Sequence, residues 1–343
     1  MVDNIMLCLA PLSALLFGSI YLWVIYHSIK TRAWKQIAAG ALLGLVSAVV
    51  GGLESPLGLF PSPASLDWNN PCHSRKNQGV AMKIRASSLP DLLDCAARWE
   101  AKHIKKLRLP TSGKAQLGTA VHAGTAAFDS SILVKNPVTV DDAAGEVVDA
   151  IWKPRAEVVW GDDLGQREAE NIALDLYRKY CQNIAPQQEY VAVEQTCDAL
   201  EIADIGITLT GTTDRVRKTP DGLGIVDLKT GGAAVAADGK VKTAGHASQI
   251  AVYELLAGFS LGSPITAPAQ IVGMQTAKTE KARRVGVGEI VNAREALVGD
   301  EFNPGILEMV AKMLKAGIFL PNPRSPLCTI KYCPVYLSCR YRG

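Results

Sequence analysis

The chemistry of this chain concentrates in residues 211–231, which read Gly-Thr-Thr-Asp-Arg-Val-Arg-Lys-Thr-Pro-Asp-Gly-Leu-Gly-Ile-Val-Asp-Leu-Lys-Thr-Gly. Asp227 and Lys229 stand two apart in a Val/Ile-rich run, so on a strand they share one face while Val226 and Leu228 take the other. Thr219-Pro220-Asp221-Gly222 predicts a hairpin turn. With Asp221-Gly222 at the turn, Asp214 falls opposite Lys229 and diagonal to Asp227. Two carboxylates in one patch repel, which raises the proton affinity of one of them. A hard divalent cation, magnesium or manganese, relieves that conflict through oxygen ligands. A lysine beside it can orient water and stabilise developing negative charge. The same three residues also suit a surface ion pair across a charged hairpin.

Other positions qualify by type and spacing. His122 closes Gly118-Thr-Ala-Val-His122 on an Ala-rich helix, where a histidine serves equally as a packed core residue or as a ligand. Gln249 and Tyr253 lie at i and i+4 on one helix face, suited to gripping a nucleic-acid strand or to packing the core. Glu194 sits on a strand ahead of the hairpin, as a further metal or water ligand or as an edge charge. Of eight cysteines, three crowd the tail as Cys328-x4-Cys333-x5-Cys339, and clustering of this kind reads as metal ligation. Cys95 is the natural fourth thiolate. Four thiolates suit zinc or a four-iron–four-sulfur (4Fe-4S) cluster equally on ligand count. Cys181 and Cys197 read as core cysteines.

Gly211-x-x-Asp214 followed by Ile-Val-Asp227-Leu-Lys229-Thr-Gly231 resembles the core of the PD-(D/E)XK nuclease superfamily, closest to its RecB-like branch. The proline of the family's name is replaced by Thr213. The resemblance implies that Asp214 and Asp227 bind Mg2+ or Mn2+, that Lys229 assists the attacking water, and that the Gly118–His122 motif supplies a histidine to the metal site. It makes Gln249-x-x-x-Tyr253 a DNA-contacting motif and puts an acid near Glu194. One upstream cysteine plus three at the tail resembles the iron–sulfur nucleases of the AddB type, the CRISPR-associated RecB-like exonucleases and their phage relatives. That favours a 4Fe-4S cluster on Cys95, Cys328, Cys333 and Cys339, although the first tail spacing is x4 where many relatives have x2. The implied activity is a metal-dependent DNA exonuclease in phage or mobile-element recombination, replication or repair. No phosphate-loop signature of a helicase is present, so a helicase or recombination partner would be a separate chain.

The elements that must position these residues follow from periodicity. They alternate as in an α/β protein, and the fold that the resemblance implies is a restriction-endonuclease-like core, a central mixed sheet flanked by helices, with a C-terminal cysteine tail. A helix begins near Pro90 and runs through Cys95 and Trp99. Further helices are predicted at 118–128, 141–152, 163–183, 246–260 and 304–317. Strands are predicted at 189–197, 205–217, 223–229, 269–276 and 284–290.

Across 343 residues, 48% are hydrophobic and 20% charged, which excludes a disordered or collagen-like chain. The net charge of +3 lacks the strongly basic footprint of general nucleic-acid binders. DNA binding therefore needs a local channel, with Lys102, Lys105, Lys106, Arg108, Lys278, Lys281, Arg283 and Arg284 as candidates. Residues 1–53 are hydrophobic, with candidate spans at 6–26 and 37–53, and predict an N-terminal helical extension. Residues 54–81 read as a linker and 82–343 as the nuclease domain. Lys30, Arg32 and Lys35 place the intervening loop in the cytoplasm. If both stretches span, the nuclease lies outside the cytoplasm, away from its DNA; if only residues 6–26 span, it is tethered to the inner membrane facing the cytoplasm. If translation starts at Met82, the favoured reading, no membrane is involved and the protein is cytoplasmic. Two rival functions stand beside the nuclease: an inactive nuclease-fold module that only binds DNA, and a holin-like membrane protein.

Overall fold

A computed structural model describes residues 82–342. The hydrophobic stretches 6–26 and 37–53 and the 54–81 linker lie outside the described residues. Among the described residues no helix is long and apolar enough to cross a membrane.

The centre is a five-stranded mixed sheet in the order β10-β9-β8-β7-β4. Its strands are β4 (Tyr190–Thr196), β7 (Thr212–Thr219), β8 (Gly222–Gly231), β9 (Ala269–Gln275) and β10 (Val285–Ile290). β8 and β9 run parallel and the other neighbours antiparallel. A parallel pair needs a crossover, supplied by helix α6 (Ala247–Leu261). On the α6 face, Ile225 and Ile271 pack with Ile250, Tyr253 and Leu256. On the other face, Val226, Leu228, Val272 and Met274 pack against α3 (Gly113–Leu133), α4 (Val140–Trp152) and α5 (Gln166–Asn183). β8 and β9 are thus buried on both faces, as their near-continuous apolar runs require. Asp227 interrupts one of those runs.

A second sheet, β1 (Met82–Arg85), β6 (Ile207–Thr210) and β5 (Leu200–Ile202), lies beside the α6-side core. β2 (Thr111–Ser112) pairs with β3 (Val158–Val159). The predicted strand 205–217 is in fact two, because the chain leaves one sheet for the other at Gly211.

The predicted helix from Pro90 through Trp99 is also divided, into α1 (Leu89–Asp94) and α2 (Ala96–Trp99). Cys95 between them takes an extended backbone, φ −150° and ψ 97°. The predicted helix 118–128 is longer, starting at Gly113 under a Ser112 cap that accepts from the Ala115 N–H. Short helix α7 (Ala293–Val298), which periodicity did not reveal, precedes α8 (Ile306–Lys315).

Two glycines let α3 approach its neighbours. A Cβ on Gly118 would meet Thr230 Oγ1 at 2.6 Å, and one on Gly124 would meet Val147 Cγ2 at 2.3 Å. They flank His122, so close packing on both sides fixes its height over the sheet.

Candidate active site

The β7–β8 hairpin turns at Pro220-Asp221, and Gly222 pairs with Thr219 at φ +111°. This corrects the predicted register. Arg215 lies opposite Val226, so Asp214 meets the 227–228 segment rather than Lys229.

The peptide of Leu228 organises the meeting. Its N–H donates to Asp214 Oδ2 at 2.7 Å. Its carbonyl accepts from His122 Nε2–H at 3.1 Å. A carbonyl can only accept, so that bond places the neutral ring's proton on Nε2 and leaves the Nδ1 lone pair free. Nδ1 lies 3.7 Å from Asp214 Oδ2.

Glu194 completes a group. Ligand atoms of His122, Glu194 and Asp214 all lie within 4.8 Å of one another. One imidazole nitrogen and two carboxylates so gathered fit a divalent cation. Glu194 reaches the group from an irregular backbone: its φ is +45°, in the left-handed region that favours glycine. Such a conformation costs on the order of 1–3 kcal/mol and persists where surrounding structure imposes it. Burial, then the charge of Asp214, pushes the Glu194 carboxyl above its ordinary range.

Asp227 lies beside this group and faces α6. Its carboxylate is 1% exposed and 2.6 Å from Lys229 Nζ. The approach is off the line of a hydrogen bond, and Asp227 Oδ2 has no hydrogen-bond donor. Burial, then Asp214, pushes its carboxyl up to about 6. Gln249 bridges the pair: its Oε1 accepts from Lys229 Nζ at 3.2 Å and its Nε2 donates to Asp227 Oδ1 at 3.4 Å. Nε2 also donates to the Tyr253 hydroxyl at 3.1 Å. Gln249 and Tyr253 are both buried, so the i, i+4 face they share is turned inward onto the carboxylate–ammonium pair.

A cavity of about 580 Å³ opens alongside, with His122, Glu194, Gln116, Thr119, Lys153 and Arg155 among its lining residues. Of the candidate channel residues, Lys102, Lys105 and Arg283 are tied to Asp91, Glu100 and Asp175. Lys106, Arg108, Lys278 and Lys281 are exposed.

The four nominated cysteines, all free, line one cavity. Cys95 sits at the α1–α2 break, and the Asn322 N–H donates to its sulfur at 3.4 Å. Burial, with the nearby Cys95 and Cys328, pushes the Cys333 thiol up. The tail is also clamped without them. Buried Arg98 binds Asp91 and Asp94, and donates to Ser325 Oγ at 3.2 Å. Cys181 and Cys197 are buried, as core cysteines should be.

The family model of the PD-(D/E)XK nuclease superfamily matches residues 84–340. The chain belongs to the PD-(D/E)XK nuclease superfamily. The matched span contains every residue of the site just described. A solved structure titled "Crystal structure of SSO0001" is similar at a TM-score of 0.36 and 13% identity, over 76% of this chain and 87% of that one. No curated protein matches the chain. Nucleases of this superfamily use Mg2+ or Mn2+, and the His122, Glu194 and Asp214 donors suit either.

Sequence reasoning missed Arg215 and Asp129. Their signal was the Asp214-Arg215 dipeptide on a strand, where alternation turns Arg215 away from Asp214 and toward α3.

Proposed function

We propose that this nuclease is a metal-dependent DNA exonuclease of the RecB-like, iron–sulfur kind, with a restriction-endonuclease-like core. The observation that carries the reading is the His122, Glu194 and Asp214 group standing beside the Asp227–Lys229 pair. His122, Glu194 and Asp214 hold the ion, with Asp227 next to them as the further ligand its family motif implies. A divalent ion held there supplies Lewis-acid polarisation of the phosphate and a more acidic water.

The chain's own residues do the positioning. Lys229, partly exposed, keeps its ammonium toward the site because Asp227 and Gln249 anchor it from the buried side. It orients the attacking water and neutralises charge developing on the phosphate. Gln249 and Tyr253 act as braces of that pair, a role their burial supports better than direct contact with a DNA strand. The cavity bearing Lys153 and Arg155 receives the strand beside the scissile bond.

A 4Fe-4S cluster on Cys95, Cys328, Cys333 and Cys339 is supported by the cavity that all four line and by the family resemblance of their placement, while four thiolates suit zinc equally on ligand count.

The test uses the full chain, purified without oxygen, with its iron content and visible spectrum recorded. It is then incubated with Mn2+ and either end-labelled linear or covalently closed circular single-stranded DNA. The reading predicts a brown protein that shortens linear DNA and spares circles. Cleaved circles would overturn the exonuclease assignment, and an inert folded protein would leave a DNA-binding module.

A further inference from the structure

We propose that Arg215, held in place by Asp129, is a positioning residue that sets the Glu194 carboxylate for metal binding. The proposal rests on the reading of His122, Glu194 and Asp214 as the metal site.

Arg215 is fully buried between the sheet and α3, and all three of its guanidinium nitrogens donate. Nε donates to Asp129 Oδ2 at 2.7 Å, and Nη2 to Thr125 Oγ1 at 3.2 Å. Nη1 donates to the Asp214 carbonyl at 2.6 Å and to Glu194 Oε1 at 3.1 Å. One side chain therefore touches the backbone of one proposed ligand and the carboxylate of another. Asp129 is itself fixed, since Tyr180 donates its hydroxyl proton to Oδ2 at 2.7 Å and lies 3.0 Å from the Tyr190 hydroxyl.

Two features give this arrangement a purpose beyond packing. Glu194 is the exposed member of the set, at 42%, and it reaches the set from a left-handed backbone at φ +45°, between strand pairs that hold it opposite Asp214. A long carboxylate so placed samples many rotamers unless something holds it. Arg215 supplies that hold through one oxygen, leaving the other for a cation. The second feature is charge. A lone buried guanidinium would compete with a cation for Glu194. Asp129 matches that charge from below, so Arg215 orients Glu194 without neutralising it. Hydrogen-bonded partners of metal ligands act in this way, and their loss lowers metal affinity roughly 10- to 100-fold. Lysine cannot replace the forked geometry.

A double-mutant cycle on the full chain tests the idea, with the Mn2+ dissociation constant measured by calorimetric titration and the melting temperature recorded for each variant. Arg215→Lys is expected to weaken Mn2+ binding roughly 10-fold or more, and to have almost no further effect once Glu194→Gln is present. Asp129→Asn, an isosteric change, keeps an acceptor for Arg215 but leaves the guanidinium to draw on Glu194. It should show the same pattern, and it carries the test if Arg215→Lys does not fold. Equal factors with and without Glu194→Gln would overturn the proposal, because Arg215 would then act through the fold alone. If neither Glu194→Gln nor Asp214→Asn alters Mn2+ binding, the metal-site reading itself fails. If both weaken binding while Arg215→Lys and Asp129→Asn leave it unchanged, only the positioning role fails.

Discussion

Replacing Asp227 with asparagine should make the metal-free protein more stable while abolishing its activity. Asp227 occupies a strand position that both neighbours in sequence and the α6-side core make apolar, and it is 1% exposed. Burial, then Asp214, raises its proton affinity from the ordinary 3.8 to about 6, even with Lys229 at 2.6 Å. The folded chain therefore holds this proton more tightly than the unfolded chain. Above pH 6 the ionised carboxylate costs the fold about 3 kcal/mol. That cost shrinks as pH falls from 6 toward 3.8 and is absent below it. The neutral amide of Asp227→Asn would carry no such penalty, and Lys229 would keep its bond to Gln249 Oε1. In a domain of this size about 3 kcal/mol corresponds to roughly 6–12 °C in melting temperature. The assay is thermal unfolding in chelator at pH 8, 6 and 4.5, comparing wild type with Asp227→Asn. The variant should melt higher at pH 8, with the gap narrowing toward pH 4.5. A variant that melts lower at pH 8, or a gap that does not respond to pH, would refute the reasoning.

Lys229→Ala should reduce the cleavage rate at saturating Mn2+ by about 100-fold or more while Mn2+ affinity stays within about threefold, because the ammonium acts on water and phosphate; titration and single-turnover cleavage separate the two. Arg98→Leu should destabilise the protein by about 2–3 kcal/mol, since it removes a buried guanidinium and leaves Asp91 with Lys102 alone and Asp94 with only the neutral donors Ser325 and Asn322. Limited proteolysis should then cut the tail after Leu320 first. Gly124→Ala should cost about 1–3 kcal/mol in urea unfolding, because its Cβ would lie 2.3 Å from Val147 Cγ2. The same shift of α3 should weaken Mn2+ binding through His122. Cys333→Ser should lower iron content of anaerobically purified protein while the Arg98 clamp keeps the tail folded, seen as an unchanged proteolysis pattern.

Most of the site was legible because its chemistry is written in short spacings. Asp227-x-Lys229 on a strand and Gln249-x-x-x-Tyr253 on a helix each fix a shared face through local geometry. The two carboxylates were also brought together, although the predicted register was off by two. The turn prefers Pro220 at its second position over the Asp221-Gly222 pair, and Gly222 takes its positive φ inside the first strand pair. Long-range consequences were not legible. Strand alternation turns Arg215 away from Asp214, but nothing local names what it meets there, and only the closeness of α3 buries Arg215 on Asp129. The left-handed backbone of Glu194 has no glycine to announce it. The extended break at Cys95 has no proline or glycine signal either, since the helix-forming neighbours predict continuity. The inward turn of Gln249 and Tyr253 depends on which face of α6 meets the sheet, and an Ala/Val/Leu-rich helix offers little contrast between its faces.

The central claim is that one metal-dependent site, built from His122, Glu194, Asp214, Asp227 and Lys229, hydrolyses DNA. Its most direct test is the Mn2+-dependent shortening of end-labelled single-stranded DNA by the full chain, run beside Asp214→Asn prepared identically. The account predicts hydrolysis by wild type that chelator stops, and a loss of at least about 100-fold in Asp214→Asn with its fold intact. Equal rates for the two proteins, or hydrolysis that persists in chelator, would contradict it.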